Sequence, residues 1–127
     1  MNRIIAVAVM ATAFIAPAHA ARRSPDAQLA EVLKGRVAEK PVSCITASAT
    51  DNMQIVTARA IVWRIGRRLY VNVPRDRAET LRADDILITQ PFGSQLCRND
   101  QVRPLDRMSN IPRGILLLGD FTPYVRK

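Results

Sequence analysis

Residues 60–73 read AIVWRIGRRLYVNV and carry the strongest structural signal in the chain. In the first half, Ile61, Trp63 and Ile65 occupy alternate positions. In the second half Leu69, Val71 and Val73 do the same. Alternation with a period of two is typical of strands that have one apolar face. The glycine between the two halves can adopt a positive φ in a tight turn, so the stretch predicts an antiparallel hairpin.

Four further segments are rich in β-branched and other apolar residues and are separated by turn residues. They cover residues 42–47, 53–57, 86–90 and 114–118. The polar stretch 74–85 is expected to be a loop with one helical turn near residues 78–81. The prolines at positions 74, 91, 104, 112 and 123 are expected at or beyond strand ends, where a missing N–H does little harm. The pattern predicts a mainly β fold, a small antiparallel sandwich or barrel of about six strands.

One short helix is predicted ahead of the strands. Residues 24–26, Ser-Pro-Asp, have the order of an N-cap, a proline at the first helical position and an acid in the first turn. Leu29, Val32 and the leucine that follows them share one helical face, and Gly35 is a suitable C-terminal stop. We expect a helix over residues 25–34 that covers one opening or edge of the β structure.

The first twenty residues have the pattern of an export signal. Arg3 precedes an apolar run from Ile4 to Ile15, and Ala18-His19-Ala20 supplies the small-x-small motif of a cleavage site. The run is shorter than the roughly 20 residues that cross a bilayer, so a retained anchor is not expected. We predict Sec-type export, cleavage near Ala20 or alternatively after Ala18, and a periplasmic or secreted product. Its mature part divides into an N-terminal segment with the helix, 21–40, and a β domain, 41–127, without a transmembrane segment.

Two cysteines, Cys44 and Cys97, are present in the chain. In an oxidising compartment, two thiols in a small domain normally pair, and only one intramolecular pairing exists here. A metal or redox role is the alternative, but the sequence has no Cys-x-x-Cys motif and no histidine beyond the leader. The sequence therefore predicts a structural Cys44–Cys97 disulfide.

Composition excludes several classes of protein. The chain has 127 residues and a formal charge of +8. Arg3 is the one charged side chain of the leader, so the part after the leader carries +7. Length and composition exclude a multidomain enzyme and a disordered chain. Because His19 lies in the leader, the mature part lacks Ser-His-acid and Cys-His machinery, and its scattered glycines form no phosphate-binding loop. We expect no metal and no cofactor. The groups that remain for acid–base work are carboxylates: Asp84 with Asp85, Asp76 with Glu79, Asp100, Asp106 and Asp120. Adjacent Asp84 and Asp85 would face opposite sides of a strand, which makes them a poor catalytic pair, and as loop residues they are expected to be solvated or to form a turn.

A cluster of arginines is the main candidate for binding. Arginine can hold phosphate or carboxylate groups, and beside exposed aromatic rings it can hold nucleobases. The interpretation as a solvated basic surface also stays open, since Asp76 and Glu79 interrupt the cluster. The six residues of the cluster are Arg64, Arg67, Arg68, Arg75, Arg77 and Arg82.

Two short motifs near the C-terminal end carry a family resemblance. Residues 92–100, FGSQLCRND, and 119–124, GDFTPY, occur together with Cys44-Ile45 and with residues 69–72, LYVN. In these features the chain resembles small exported proteobacterial proteins of unknown function. The resemblance implies an exported domain, and it implies no substrate or mechanism. Physically, Phe121 and Tyr124 are expected to fold back over an exposed sheet edge.

These observations predict an exported, non-catalytic binding or accessory module with an anionic partner. Export favours envelope components: lipid headgroups, lipopolysaccharide phosphates or an acidic protein. One alternative is a hydrolase of envelope glycans or phosphoesters that uses carboxylates alone. A second is single-stranded nucleic-acid binding, which requires Trp63 and Tyr70 to be exposed on the same face as the arginines. The sequence does not determine the oligomeric state.

Overall fold

The structure is a computed structural model that describes residues 21–49 and 52–127. The predicted leader, including His19, lies outside the described residues. The described chain contains one α-helix and ten strands. In chain order the elements are α1 (Pro25–Val32), β1 (Arg36–Ala38), β2 (Cys44–Thr46), β3 (Asn52–Val56), β4 (Ala60–Ile65), β5 (Arg68–Asn72), β6 (Ile86–Thr89), β7 (Gln95–Cys97), β8 (Gln101–Leu105), β9 (Leu116–Leu117) and β10 (Phe121–Arg126).

The predicted hairpin forms the middle of the largest sheet. Strands β4 and β5 pair antiparallel from Ile61 opposite Asn72 to Ile65 opposite Arg68. Gly66 opens the two-residue turn between them with a φ of 57°, the left-handed value that glycine adopts without a Cβ penalty. The complete sheet has the order β1-β10-β5-β4-β3, and every neighbouring pair is antiparallel.

Two smaller antiparallel sheets, β2-β7 and β6-β8-β9, share a core with the large sheet. Trp63 and Phe121 on the large sheet are buried together, with ring centroids 5.6 Å apart. Residues of both small sheets complete the same apolar cluster, among them Ile45, Leu96 and Val102. The predicted class, a mainly β antiparallel fold with one short N-terminal helix and a disulfide, is therefore confirmed.

The helix begins where the sequence predicts but covers a different part of the sheet. The Ser24 hydroxyl accepts a hydrogen bond from the Ala27 N–H at 3.2 Å, as an N-cap does. Leu29 and Val32 pack against a second apolar cluster that includes Val62 and Val71. These two valines lie opposite one another at the centre of the sheet. The helix therefore covers a face of the large sheet, not an opening or an edge.

The described residues form ten strands, whereas the sequence predicts about six, so the predicted number of strands is wrong. Strands β1 and β7 have three residues each, too few to show an alternating pattern. Strands β8 and β10 contain Pro104 and Pro123, which are not at strand ends as expected. The carbonyl of each proline accepts a hydrogen bond from a residue beyond the neighbouring strand, from Arg113 and Glu39 respectively, so each proline keeps its acceptor and lacks only the N–H donor.

The predicted disulfide is present. Cys44 and Cys97 lie directly opposite one another in the β2–β7 ladder, and their sulfurs are bonded across 53 residues of sequence. Within the described ranges, no helix is long and apolar enough to cross a membrane.

Candidate anion-binding cleft

Arginines from four strands and the β4–β5 turn meet at one end of the large sheet. The β4–β5 turn places Arg67 and Arg68 at this end. Arg64 lies near the end of β4, two residues before Gly66, which opens the turn. Strand β10 finishes there with Arg126, which lies directly opposite Arg36, the first residue of β1. The antiparallel register therefore gathers residues that are far apart in the sequence.

These residues line a cleft of about 650 Å³, which we call the basic cleft. No carboxylate side chain is among its lining residues in the described chain. Among the described residues, Glu39 compensates part of this charge: its carboxylate lies 3.6 Å from the Arg68 guanidinium at a largely exposed position. The lining consists of Arg36, Arg64, Gly66, Arg67, Arg68, Val125, Arg126 and Lys127.

Arg36 is held in a fixed position at the centre of this group. Its Nη1 donates hydrogen bonds to the Arg67 carbonyl at 2.9 Å and to the Tyr124 carbonyl at 3.4 Å. Burial, followed by the like charges of Arg126 and Arg64, lowers the pKa of the Arg36 guanidinium from its ordinary value. An arginine stays protonated in proteins nevertheless, so both its desolvation and the neighbouring like charges make this cation costly to keep in the cleft.

The other arginines of the basic cleft present their charges to solvent. Arg64, Arg67 and Arg126 are exposed, and their side chains form no hydrogen bond or ion pair with another described residue. A smaller cleft of about 200 Å³ adjoins the first, shares Arg36, Arg64 and Arg126 with it, and adds Lys34 just beyond the helix. Positive charge therefore continues from the strand ends toward the helix.

The structure divides the six predicted arginines into two groups. Arg64, Arg67 and Arg68 line the basic cleft, whereas the other three lie beyond the opposite end of β5. Each arginine of this second group lies beside a different neighbouring residue. Arg75 bonds to the Asn99 side chain, the Arg77 guanidinium lies against Gly114, and Arg82 lies 3.6 Å from the Asp106 carboxylate.

Sequence reasoning misses Arg36 and Arg126 as members of the cleft. Neither is near the predicted cluster in the sequence, and both reach it only through the pairing of β1 with β10 and of β10 with β5. The signal that finds them is the alternation in residues 121–126, which Pro123 obscures.

The two aromatic residues near the arginines face the core. Trp63 is 5% exposed and packs against Phe121. Tyr70, which lies opposite Trp63 in the ladder, is half-buried against the same cluster. Neither ring lines the basic cleft, so its chemistry is that of guanidinium groups and backbone.

Two of the carboxylates considered for acid–base work, Asp85 and Asp106, bond to local backbone and side-chain groups. Asp85 is buried, pairs with Arg113 and accepts from the Arg82 N–H at 3.0 Å, while Asp84 is exposed. Backbone and side-chain hydrogen bonds from Ser109, followed by one from the Met108 N–H, lower the pKa of Asp106 in its turn. Across residues 21–49 and 52–127, no three His, Cys, Asp or Glu side chains group as metal ligands.

Comparison with known proteins finds no matching family model and no significant similarity to a curated protein or to a solved structure.

Proposed function

We propose that the protein is an exported, non-catalytic binding module that holds an anionic group of an envelope component in the basic cleft. The observation that carries this proposal is the convergence of Arg36, Arg64 and Arg126 on one cleft whose described lining has no carboxylate side chain. Guanidinium groups that converge in this way match the planar, bidentate geometry of phosphate and carboxylate oxygens.

The electrostatics of Arg36 support the same proposal. Its two backbone hydrogen bonds hold the guanidinium in place despite the repulsion from Arg126 and Arg64. An anion in the cleft would offset that repulsion, and little side-chain freedom would be lost at Arg36 on binding. A guanidinium that is already held in place before an anion arrives favours a binding role for this cleft.

The leader pattern and the disulfide support an extracytoplasmic compartment. A Cys44–Cys97 bond is compatible with an oxidising environment outside the cytoplasm, and residues 1–20 have the pattern of an export signal. The resemblance to small exported proteobacterial proteins is consistent with this location. Lipid headgroups, lipopolysaccharide phosphates and acidic proteins are the anions that such a module meets.

Retention on envelope fractions at low and high salt tests the binding proposal. We expect the protein to sediment with envelope material at low salt and to be released at high salt, since screening weakens exposed charge pairs. A double variant, Arg64→Ser with Arg126→Ser, should lose retention. The matched control, Arg75→Ser with Arg82→Ser, removes the same charge from the other end of β5 and should retain it. Equal retention of both variants would contradict a site in the basic cleft.

Mass spectrometry of the purified native protein tests the location. We expect a terminus near Ala21 on material from outside the cytoplasm, and no free thiol under denaturing conditions. Cytosolic material that keeps Met1 and two titratable thiols would overturn both the compartment and the choice of envelope partners.

A further inference from the structure

We infer that the ligand of the basic cleft carries several phosphate groups in one extended molecule or array. This inference rests on the proposed function and specifies the chemical class of the anion. It depends on three features of the cleft: the number of uncompensated charges, the size of the cleft, and the absence of aromatic rings among its described lining residues.

The charge count exceeds what one phosphate can neutralise. The cleft is lined by five arginines, and Glu39 lies near only one of them, Arg68. A phosphate monoester carries a charge of about −1.5 to −2 at neutral pH. One such group therefore leaves most of the guanidinium charge unneutralised, whereas a ligand with several phosphates matches it.

The dimensions also favour an extended ligand. Arg64 lies on β4 and Arg126 on β10, with β5 between these strands. Two strand spacings separate their backbones by roughly 10 Å in the direction across the sheet. The volume of about 650 Å³ falls in the range of clefts that hold small molecules of many atoms, roughly 300–1,000 Å³.

The lining favours phosphate over nucleobase recognition. Single-stranded nucleic-acid sites combine basic grooves with aromatic rings on which bases stack. Among the described residues, those that line the basic cleft and the smaller cleft beside it include no aromatic side chain. Recognition here therefore depends on charge and on hydrogen bonds to oxyanions.

A series of linear phosphates tests the inference by calorimetry on the mature, disulfide-bonded protein. We expect affinity to rise from orthophosphate through pyrophosphate and tripolyphosphate to a longer polyphosphate, by at least about tenfold between the second and the last. The salt dependence should steepen along the series, because each added phosphate contact releases further counterions. Equal affinity for orthophosphate and for the longer chains would overturn the inference and leave the proposed anion site intact.

Single substitutions at the two ends of the cleft provide the matched variants. Arg64→Gln and Arg126→Gln should each weaken binding of the long chain more than binding of pyrophosphate, because the long chain reaches both ends. Arg75→Gln, beyond the opposite end of β5, should leave both affinities unchanged. An effect of Arg75→Gln equal to that of the cleft variants would show that only overall charge matters, and would contradict the site.

Two further arms separate the sources of phosphate. Phosphatidylcholine vesicles with added phosphatidic acid, but not without it, should bind the protein in competition with polyphosphate if a lipid surface supplies the groups. Binding of soluble polyphosphate, without binding to either kind of vesicle, would identify a free phosphorylated polymer as the source of the phosphate groups.

An oligonucleotide that binds more tightly than polyphosphate of equal charge would overturn the inference. Binding of no phosphate probe, together with envelope retention that is insensitive to salt, would overturn the proposed function as well.

Discussion

Asp85 is a buried carboxylate whose charge is compensated by neighbours from two loops. Its side chain is 1% exposed and pairs with Nη2 of Arg113, while its second oxygen accepts from the Arg82 N–H at 3.0 Å. Arg113 also donates from Nη1 to the Thr80 carbonyl at 3.3 Å. A buried ion pair adds little net stability, but removal of one partner leaves a charge that water cannot reach. These partners give Asp85 a role in anchoring the two loops to one another.

Substitution of Arg113 by Met should lower the free energy of unfolding by about 3 kcal/mol, because the Asp85 carboxylate then stays buried without its cation. Urea unfolding followed by Trp63 fluorescence measures the change. The double variant Arg113→Met with Asp85→Asn should regain part of the loss. Arg98→Met is the surface control, since its pair with Asp120 is about half exposed and should contribute less than about 1 kcal/mol. A loss for Arg113→Met no larger than that of the control would contradict this account.

At the scale of elements, Asn72 fixes the start of β10 against the end of β5. It is fully buried, and its amide donates to the Gly119 carbonyl at 2.8 Å and accepts from the Gly119 N–H at 2.9 Å. A Cβ on Gly119 would collide with the Val73 carbonyl oxygen. The close approach of the backbone at Gly119 to the backbone at Val73 therefore requires glycine. This contact aligns the C-terminal strand, and through it places Arg126 beside Arg36.

Asn72→Ala should cost about 3 kcal/mol of unfolding free energy, because both polar groups of Gly119 lose their partner in a buried site. Asn52→Ala, on the exposed start of β3, is the matched control and should change stability by less than about 0.5 kcal/mol. Thermal unfolding by circular dichroism compares the two. Equal melting temperatures for Asn72→Ala and the unmodified protein would show that β10 is aligned by other contacts.

The elements that the sequence predicts are those with local signals. The hairpin has alternation on both sides of Gly66, and the helix has a cap at Ser24. The C-terminal strand has no such signal, because Pro123 interrupts it; the tail enters the sheet where it was expected to cover an edge. The predicted arginine cluster divides for a geometric reason: the length of β5 separates Arg68 from Arg75, whereas strand pairing brings Arg36 and Arg126 close.

At the scale of the whole molecule, the middle of the large sheet is buried on both faces. The run Ala60–Trp63 is buried at every position, since the small sheets cover one face and α1 covers the other. This explains why β4 is apolar on both faces and not only on the predicted one. The β2–β7 sheet, with three residue pairs, depends on this packing and on the bond between Cys44 and Cys97.

The disulfide should account for a large part of the stability of the folded domain. Closure of a loop that spans 53 residues removes unfolded-state freedom worth about 4 kcal/mol on the chain-entropy model. With an m value of about 2 kcal/mol/M, the double variant Cys44→Ala with Cys97→Ala should unfold at roughly 2 M less urea. Reduction of the unmodified protein by dithiothreitol should produce a similar shift and leave the double variant unchanged. A double variant with an unaltered urea midpoint would show that the packing of Ile45 and Leu96 in the core holds the small sheet without the bond.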